Sequence, residues 1–454
     1  MAALLPLLVA AAEPDPFNTA ARHASSPGAR LLRAPCQPLA AGTPLQLIQA
    51  VEQALCHNPR THQAWASARA QAAQVGVAQS AYLPSVSASA GRSRVTSEAA
   101  NGVAGSTRNQ TSGALSLSYL LYDFGERSAT LENARQLMTA LNASEDATLQ
   151  EVFLNTVQAY YQALAAEAAV LAARESERAS LESQKAAETR YRVGSGTPAD
   201  QLQAQTAAAQ ATLSRIQAEG AVRTALGSLA NAMGLDAHQT PTIALPVELA
   251  PETGFEANIA ELIATAKQRR PDLAAAEAQV RAAEAGIDAT RASGRPTLSL
   301  TAGKTYLDSG LPDAARGQTV GITLNIPLFS GFNTTYKIRA AEAQRDLRAA
   351  QRDQLSKQVS LDVWRSYYAL QTSTESVRAT RALLASAEQS EKVAAGRYRA
   401  GVGGILDLLN AQSALASARL QHIQSRYNWH LAKAALAQAM GQLDFDQFNR
   451  QTQP

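Results

Sequence analysis

RYRVGSG, from Arg190 to Gly196, returns as RYRAGVG from Arg397 to Gly403, 207 positions later by subtraction. The same offset links Tyr160-Tyr161 to Tyr367-Tyr368 and Met233-Gly234 to Met440-Gly441. Earlier in each half, Pro59 matches Pro271, Pro84 matches Pro296 and Gly91 matches Gly303, each pair 212 positions apart by subtraction. The chain is therefore an internal duplication whose halves differ by one short length change between Gly91 and Leu121, and the repeat is the architectural unit. The expected layout is a signal remnant at 1–12, an arm at 13–42, a first repeat at 43–236, a linker at 237–256, a second repeat at 257–444 and a tail at 445–454.

Each repeat shows the same order of patterns. Alanine-rich helices of about forty residues, Thr43 to Ala81 and Ala257 to Ser293, are expected to stop at Pro84 and Pro296. The period then becomes two. Val86, Ala88 and Ala90 alternate with serines, as do Leu115, Leu117, Tyr119 and Leu121, while Leu298 and Leu300 alternate with Thr297, Ser299 and Thr301. Val320, Ile322, Leu324, Ile326 and Leu328 alternate with Gly321, Thr323 and Asn325. These are four strands with one apolar face. Gly-, Ser-, Asn- and Asp-rich segments, Thr96 to Thr111 and Asp308 to Gln318, are expected as the hairpin loops and as the place for the length change. Uninterrupted helical patterns follow, Arg127 to Val193 and Thr334 to Ala400, each a rod of about 100 Å at 1.5 Å per residue. Leu149, Phe153, Val157, Tyr160 and Leu164 mark the packed stripe of the first. Gly194 to Gly196 and Gly401 to Gly404 turn the chain into return helices, Ala199 to Met233 and Ile405 to Met440.

Composition narrows the class. Hydrophobic residues make up 46% of the chain, but aromatics only 5% and charged residues 17%, against a usual charged share of about 25%. This suits long helices packed through small side chains. The net charge is +3 and dispersed, which argues against a nucleic-acid partner. Met1 to Ala12 reads as the apolar core and cleavage region of a signal peptide without its basic start, as a start assigned too late would leave, so export is expected. No later stretch approaches the roughly 18 apolar residues of a spanning helix. Any membrane crossing falls to the strands.

Period-two alternation alone fits either a half-buried sheet or a membrane wall. Two features favour the wall: the polar face is small and uncharged, and aromatics gather at the helix-side ends, at Tyr82, Tyr122, Phe124, Phe329 and Phe332. Four strands leave two open edges, which hydrocarbon does not tolerate, and closed membrane barrels need about eight strands or more. The chain is therefore expected to oligomerise.

The duplicated helix, strand, strand, helix plan, the LYDFG and LFSGF turns at Leu121 and Leu328, and RYRAGVGGILDLLNAQ from Arg397 resemble the TolC family of outer-membrane efflux and secretion channels, over about Pro44 to Asp444. The N-terminal cysteine pair and the run ALCHNPRTHQAWASARAQAAQVGVAQSAYLPS from Ala54 look most like the outer-membrane components of type I secretion systems. The resemblance implies an α+β membrane protein: four transmembrane strands and long periplasmic helices per protomer, closing as a homotrimer into a twelve-strand β-barrel on an α-helical barrel. It implies an outer-membrane location and a passive conduit for an exported protein cargo. A periplasmic adaptor would dock at the helix-turn tips, Gly194, Gly196, Gly401 and Gly403, and an inner-membrane ABC transporter would supply the energy. The duct of a small-molecule efflux pump is the alternative, and a structural helical rod or adhesin a more distant one.

At the closed end, the family's pore is constricted by two acidic rings. Asp407 stands at the first acidic position, whereas the second is Asn410. Tyr398 and Gly401 match the latch region; Gly403 replaces the latch arginine, leaving Arg397 or Arg399 as substitutes. A plainer role for Asp407 is a helix-start carboxylate, like its counterpart Asp200. Cys36 and Cys56 are the only cysteines: either a disulfide, as an oxidising compartment favours, or two separate thiols. Nothing resembles a phosphate loop, a zinc motif or a nucleophile elbow, so no catalysis, metal or cofactor is expected. His57, His62, His422 and His430 read as ordinary histidines, and Glu175 and Glu177 as a solvated helix face.

Overall fold

The computed structural model describes residues 15–19, 44–97, 105–244, 258–309 and 314–443. In chain order these form α1 (Leu47–His57), α2 (Pro59–Ser80), β1 (Ser85–Ser97), β2 (Ser106–Tyr122), α3 (Glu126–Arg192) and α4 (Pro198–Ala232). The second repeat gives α5 (Ile259–Arg269), α6 (Pro271–Ala292), β3 (Thr297–Asp308), β4 (Ala315–Asn325), α7 (Asn333–Arg399) and α8 (Ile405–Ala439). Helix lengths repeat without change between the halves, at 11, 22, 67 and 35 residues. The length change is confined to the hairpins.

The expected forty-residue helices are each two helices. Asn58 and Arg270 are extended, with ψ of 128° and 122°, because each precedes a proline whose ring clashes with a helical neighbour. Proline is tolerated at the first position of the next helix, where no partner for an N–H is needed. The paired strands also run further into the expected loops, to Ser97 and Ser106 and to Asp308 and Ala315. Polar residues there, such as Thr96 opposite Thr107, keep the backbone ladder although the apolar alternation has ended.

Two compact units divide the chain, each drawing on both repeats. Among the described residues the first comprises 15–19, 66–97, 105–142, 275–309 and 314–353 and holds the sheet, antiparallel throughout in the order β1-β2-β3-β4. Its helices pack through small contacts: Val75, Leu131 and Ala134 form one cluster, and the Asn133 side chain donates to the Ala282 carbonyl at 2.6 Å. At the end of β2, Asp123 accepts from the backbone of Gly125 and Arg127 and from the Arg127 guanidinium at 2.9 Å. Arg127 also donates to the Leu120 carbonyl at 2.7 Å and lies over the Tyr82 ring. Burial alone would raise the Asp123 carboxyl; these hydrogen bonds and the adjacent cation outweigh it and hold the group below the usual range. In the second repeat Ser330 stands in place of Asp123, and its hydroxyl meets that of Thr334.

Among the described residues the second unit comprises 44–65, 143–244, 258–274 and 354–443. Its largest cluster includes Leu45, Tyr160, Leu164, Leu229, Met233 and Ile243. Leu45 and Ile243 form a parallel bridge, and the Tyr160 hydroxyl donates to the carbonyls of Leu45 and Ala244. The Met-Gly pairs found in both repeats have a structural cause. Gly234 takes φ of 77° and presses against the backbone of His57 and Asn58, while Gly441 takes φ of 66° and presses against Arg269 and Arg270. Each glycine cap thus seats on the proline break of its own repeat.

Candidate pore wall and helix-turn site

In the first unit, register sorts the strand residues onto two faces. Val86, Leu117, Ala302 and Val320 lie in one row across all four strands, and Tyr119, Leu300 and Ile322 in the next. Val320 and Ile322 are 78% and 67% exposed, and Leu115, Leu324 and Leu328 are exposed with them. The opposite face carries Ser85, Ser118, Thr301 and Gly321 in one row and Ser87, Ser116, Gly303 and Thr319 in another. The Ser87 and Ser116 hydroxyls meet at 2.7 Å. Both faces of the sheet are open in the single chain, so the apolar face packs on no core among the described residues. At the helix-side end the aromatics expected as a girdle are exposed: Tyr82, Tyr122, Phe124, Phe329 and Phe332. Strands β1 and β4 are the sheet's edges.

In the second unit, two glycine turns close the long helices. Gly194 (φ 76°) and Gly401 (φ 77°) each donate to a carbonyl three residues back. The following residues, Ser195 and Val402, donate to the carbonyls of Arg190 and Arg397 at 2.8 and 3.0 Å. This double bond pattern satisfies the last carbonyls of a helix and favours glycine at the left-handed position. Gly196 and Gly403 are needed for a different reason: a Cβ there would come within 3.1 and 3.0 Å of the preceding helix end.

The two turns then diverge. In the first, the Thr197 hydroxyl caps Asp200 N–H, and the Asp200 carboxylate accepts from Thr197 N–H at 3.1 Å. In the second, Gly404 stands at the cap with no side chain to reciprocate. Asp407 occupies the same first-turn position as Asp200 but is not tied into such a box. With Asn410 it is exposed and lines a groove of about 560 Å³, together with Arg397, Gly403, Gln389 and Ser390.

Tyr398 is only 5% exposed, packed among Ala187, Ala204, Ile405 and Leu408. Neither Arg397 nor Arg399, the two expected substitutes, holds it: Arg397 lines the groove and Arg399 donates to the Ala395 carbonyl. Its partner is Arg190 of the other repeat, whose guanidinium lies 4.1 Å from the ring centroid and donates to the Tyr398 carbonyl. Burial raises the Tyr398 phenol more than this cation lowers it. Sequence reading passed over Arg190; its signal was the arginine that opens RYR in both repeats.

Other expected site residues are placed as follows. Cys56 lies near the end of α1, and Cys36 falls outside the described residues, as does the Met1 to Ala12 segment. Glu177 is largely buried and paired with Arg215 at 2.7 Å, and Glu175 pairs with Arg419 at 2.9 Å, so these acids brace neighbouring helices rather than merely facing solvent. His422 lies 3.3 Å from the Thr380 hydroxyl. His430 stacks on Tyr161 at 4.8 Å, and burial, with Arg426 and Lys433 near, pushes it down to about 4.

The family model described as outer membrane efflux protein matches residues 50–235 and 262–442. Protein CyaE of Bordetella pertussis is 35% identical over 404 residues, spanning 88% of this chain and 84% of that one. Outer membrane efflux protein BepC of Brucella suis is 27% identical over 420 residues, spanning 89% and 87%. Among solved structures, the outer-membrane channel OprN superposes with a TM-score of 0.77 at 22% identity, over 87% of this chain and 89% of that one.

Proposed function

The chain belongs to the outer membrane efflux protein family, and from that premise we propose that it forms a passive homotrimeric duct through which a type I secretion system exports a protein. Its location is the outer membrane, with the helical part in the periplasm. The observation that carries the proposal is the exposed apolar sheet face bounded by two open edges, β1 and β4. Lipid is the solvent that suits the face, and further copies of the same hairpins are what suits the edges. Three copies then give a twelve-strand barrel whose lumen carries the serine, threonine and glycine rows. A wall lined mainly by hydroxyls, with Arg108 the one charge on its described strands, offers little discrimination by charge, which suits a varied polypeptide passing through.

Protein export is favoured over small-molecule efflux by the type I character of the run from Ala54. A periplasmic adaptor docks at the Gly194–Gly196 and Gly401–Gly403 tips, and an inner-membrane ABC transporter drives the cargo. Deleting the gene and comparing secreted proteins by mass spectrometry tests the reading. Loss of one large protein from the medium supports it; an unchanged secretome with new sensitivity to small toxic compounds makes the chain an efflux duct.

At the closed end, Asp407 contributes a single ring of three carboxylates, and Asn410 leaves the second ring uncharged. Asp407→Ala is expected to reduce cation selectivity severalfold in planar-bilayer recordings; unaltered selectivity removes Asp407 from the pore. Arg190 holds the second helix pair shut across the repeats. Arg190→Ala deletes a cation–π contact and a charge-assisted hydrogen bond together worth about 2 kcal/mol, so the resting conductance is expected to rise. A Cys36–Cys56 disulfide would tie the N-terminal arm to α1. Thiol titration of the denatured protein is expected to find two thiols after reduction and none before.

A further inference from the structure

On the apolar face of the sheet, the chemistry changes partway along three strands. Counting from the helix-side end and keeping to that face, β1 reads Val86, Ala88, Ala90, then Arg92 and Arg94. Strand β3 reads Leu298, Leu300, Ala302, Lys304, then Tyr306 and Asp308, and β4 reads Leu324, Ile322, Val320, Gln318, then Arg316. Strand β2 places Gly113, Thr111 and Asn109 on this face and turns Arg108 to the other. All four cations are exposed. Against them, the described part of this face carries one carboxylate, Asp308.

A cation on a lipid-facing strand is costly at the bilayer midplane and nearly free of cost near an interface. Arg92, Arg94 and Arg316 lie towards the strand ends away from the helices, and Lys304 lies one row nearer the helices than Arg316, beside Leu115. The helix-side end carries exposed aromatics, Tyr82, Tyr122, Phe124, Phe329 and Phe332, whereas the far end carries one, Tyr306, among the cations, so the two rims of the apolar band differ in chemistry. With the helices in the periplasm, the basic rim faces the outer leaflet. Arg92 and Arg94 stand two residues apart on one face, about 7 Å, and guanidinium forks match phosphate oxygens in shape as well as charge.

We propose that Arg92, Arg94, Lys304 and Arg316 form a binding belt for the phosphate groups of the outer-leaflet glycolipid, whose acyl chains lie on the Val86–Leu117–Ala302–Val320 row. This rests on the lipid-facing reading of the sheet. The belt holds anionic glycolipid against the barrel wall and fixes the height of the barrel in the membrane.

The test uses the full-length assembly in nanodiscs of phosphatidylcholine containing either bisphosphorylated lipid A or its dephosphorylated counterpart, with retained lipid counted by native mass spectrometry. The unmodified protein is expected to retain the bisphosphorylated form about tenfold or more over the dephosphorylated one. Two double variants, Arg92→Gln with Arg94→Gln and Lys304→Gln with Arg316→Gln, are each expected to lose part of that preference while single-channel conductance, which reports folding, stays unchanged. Equal retention of the two lipids by the unmodified protein, or full preference in both conducting double variants, overturns the belt. A protein that never enters the discs overturns the lipid-facing reading itself.

Discussion

Replacing Ile322 by arginine is expected to destabilise the folded assembly by about 2–4 kcal/mol per chain, whereas Thr323→Arg, one residue further on, is expected to change stability by less than about 1 kcal/mol. Ile322 is exposed on the apolar face, opposite Leu300 and between Val320 and Leu324 along its own strand. Thr323 points to the hydroxyl-lined side, opposite Ser299. In water, a residue as exposed as Ile322 would accept arginine with almost no effect. In hydrocarbon the guanidinium must be desolvated or must drag water inward, and three copies repeat the penalty. Reversible denaturation in lipid or detergent micelles, with both variants compared to the unmodified protein, reads the difference. Equal, small effects at the two positions would place the sheet in water.

The second large effect is expected at the glycine caps. An ideal Cβ on Gly234 would stand 2.5 Å from the His57 carbonyl oxygen and 2.6 Å from its carbon, and φ is 77°. Backbone cannot rotate away as a long side chain can. Gly234→Ala therefore combines left-handed strain with overpacking, about 3–5 kcal/mol in all. Gly441→Ala meets Arg269 backbone at 3.0 Å with φ of 66° and is expected to cost about 2–4 kcal/mol. Gly194 has φ of 76° but nothing within 4 Å of the added atom, so Gly194→Ala should cost about 1–2 kcal/mol. The order, with Gly234 most sensitive and Gly194 least, can be read from thermal unfolding of the three variants. A Gly194→Ala effect as large as that of Gly234→Ala would contradict the seating of the cap on the proline break.

Much of this architecture was legible because the chain states it twice. Matching Pro84 with Pro296 and Gly194 with Gly401 fixed where helices stop, and the period-two runs fixed which strand residues share a face. The proline breaks after Asn58 and Arg270 were less visible. Helical patterning continues on both sides of Pro59, and proline is at home in a first helical turn, so the pattern carries no gap. The strands run further into the expected loops for a related reason. Backbone pairing there rests on Ser, Thr, Asn and Gln, whose polarity reads as loop.

At the helix-turn site, the divergence of Asp407 from Asp200 follows from one difference between the repeats, Thr197 against Gly404, and was within reach of alignment. The Arg190 contact was not. Arg190 and Arg397 occupy equivalent places in identical RYR triplets, and only packing decides which of them crosses to the other repeat's tyrosine. The belt of cations continues the same alternation past its apolar part, and the pairing register carries the strands as far as Arg94 and Arg316.

On this reading the open apolar sheet is completed by other copies of the same chain inside a membrane. The most direct test is the mass of the assembly extracted from outer membranes by mild detergent, measured by native mass spectrometry. Three chains per particle, recovered only when detergent is present, is the predicted result. A single chain recovered in aqueous buffer without detergent would contradict it.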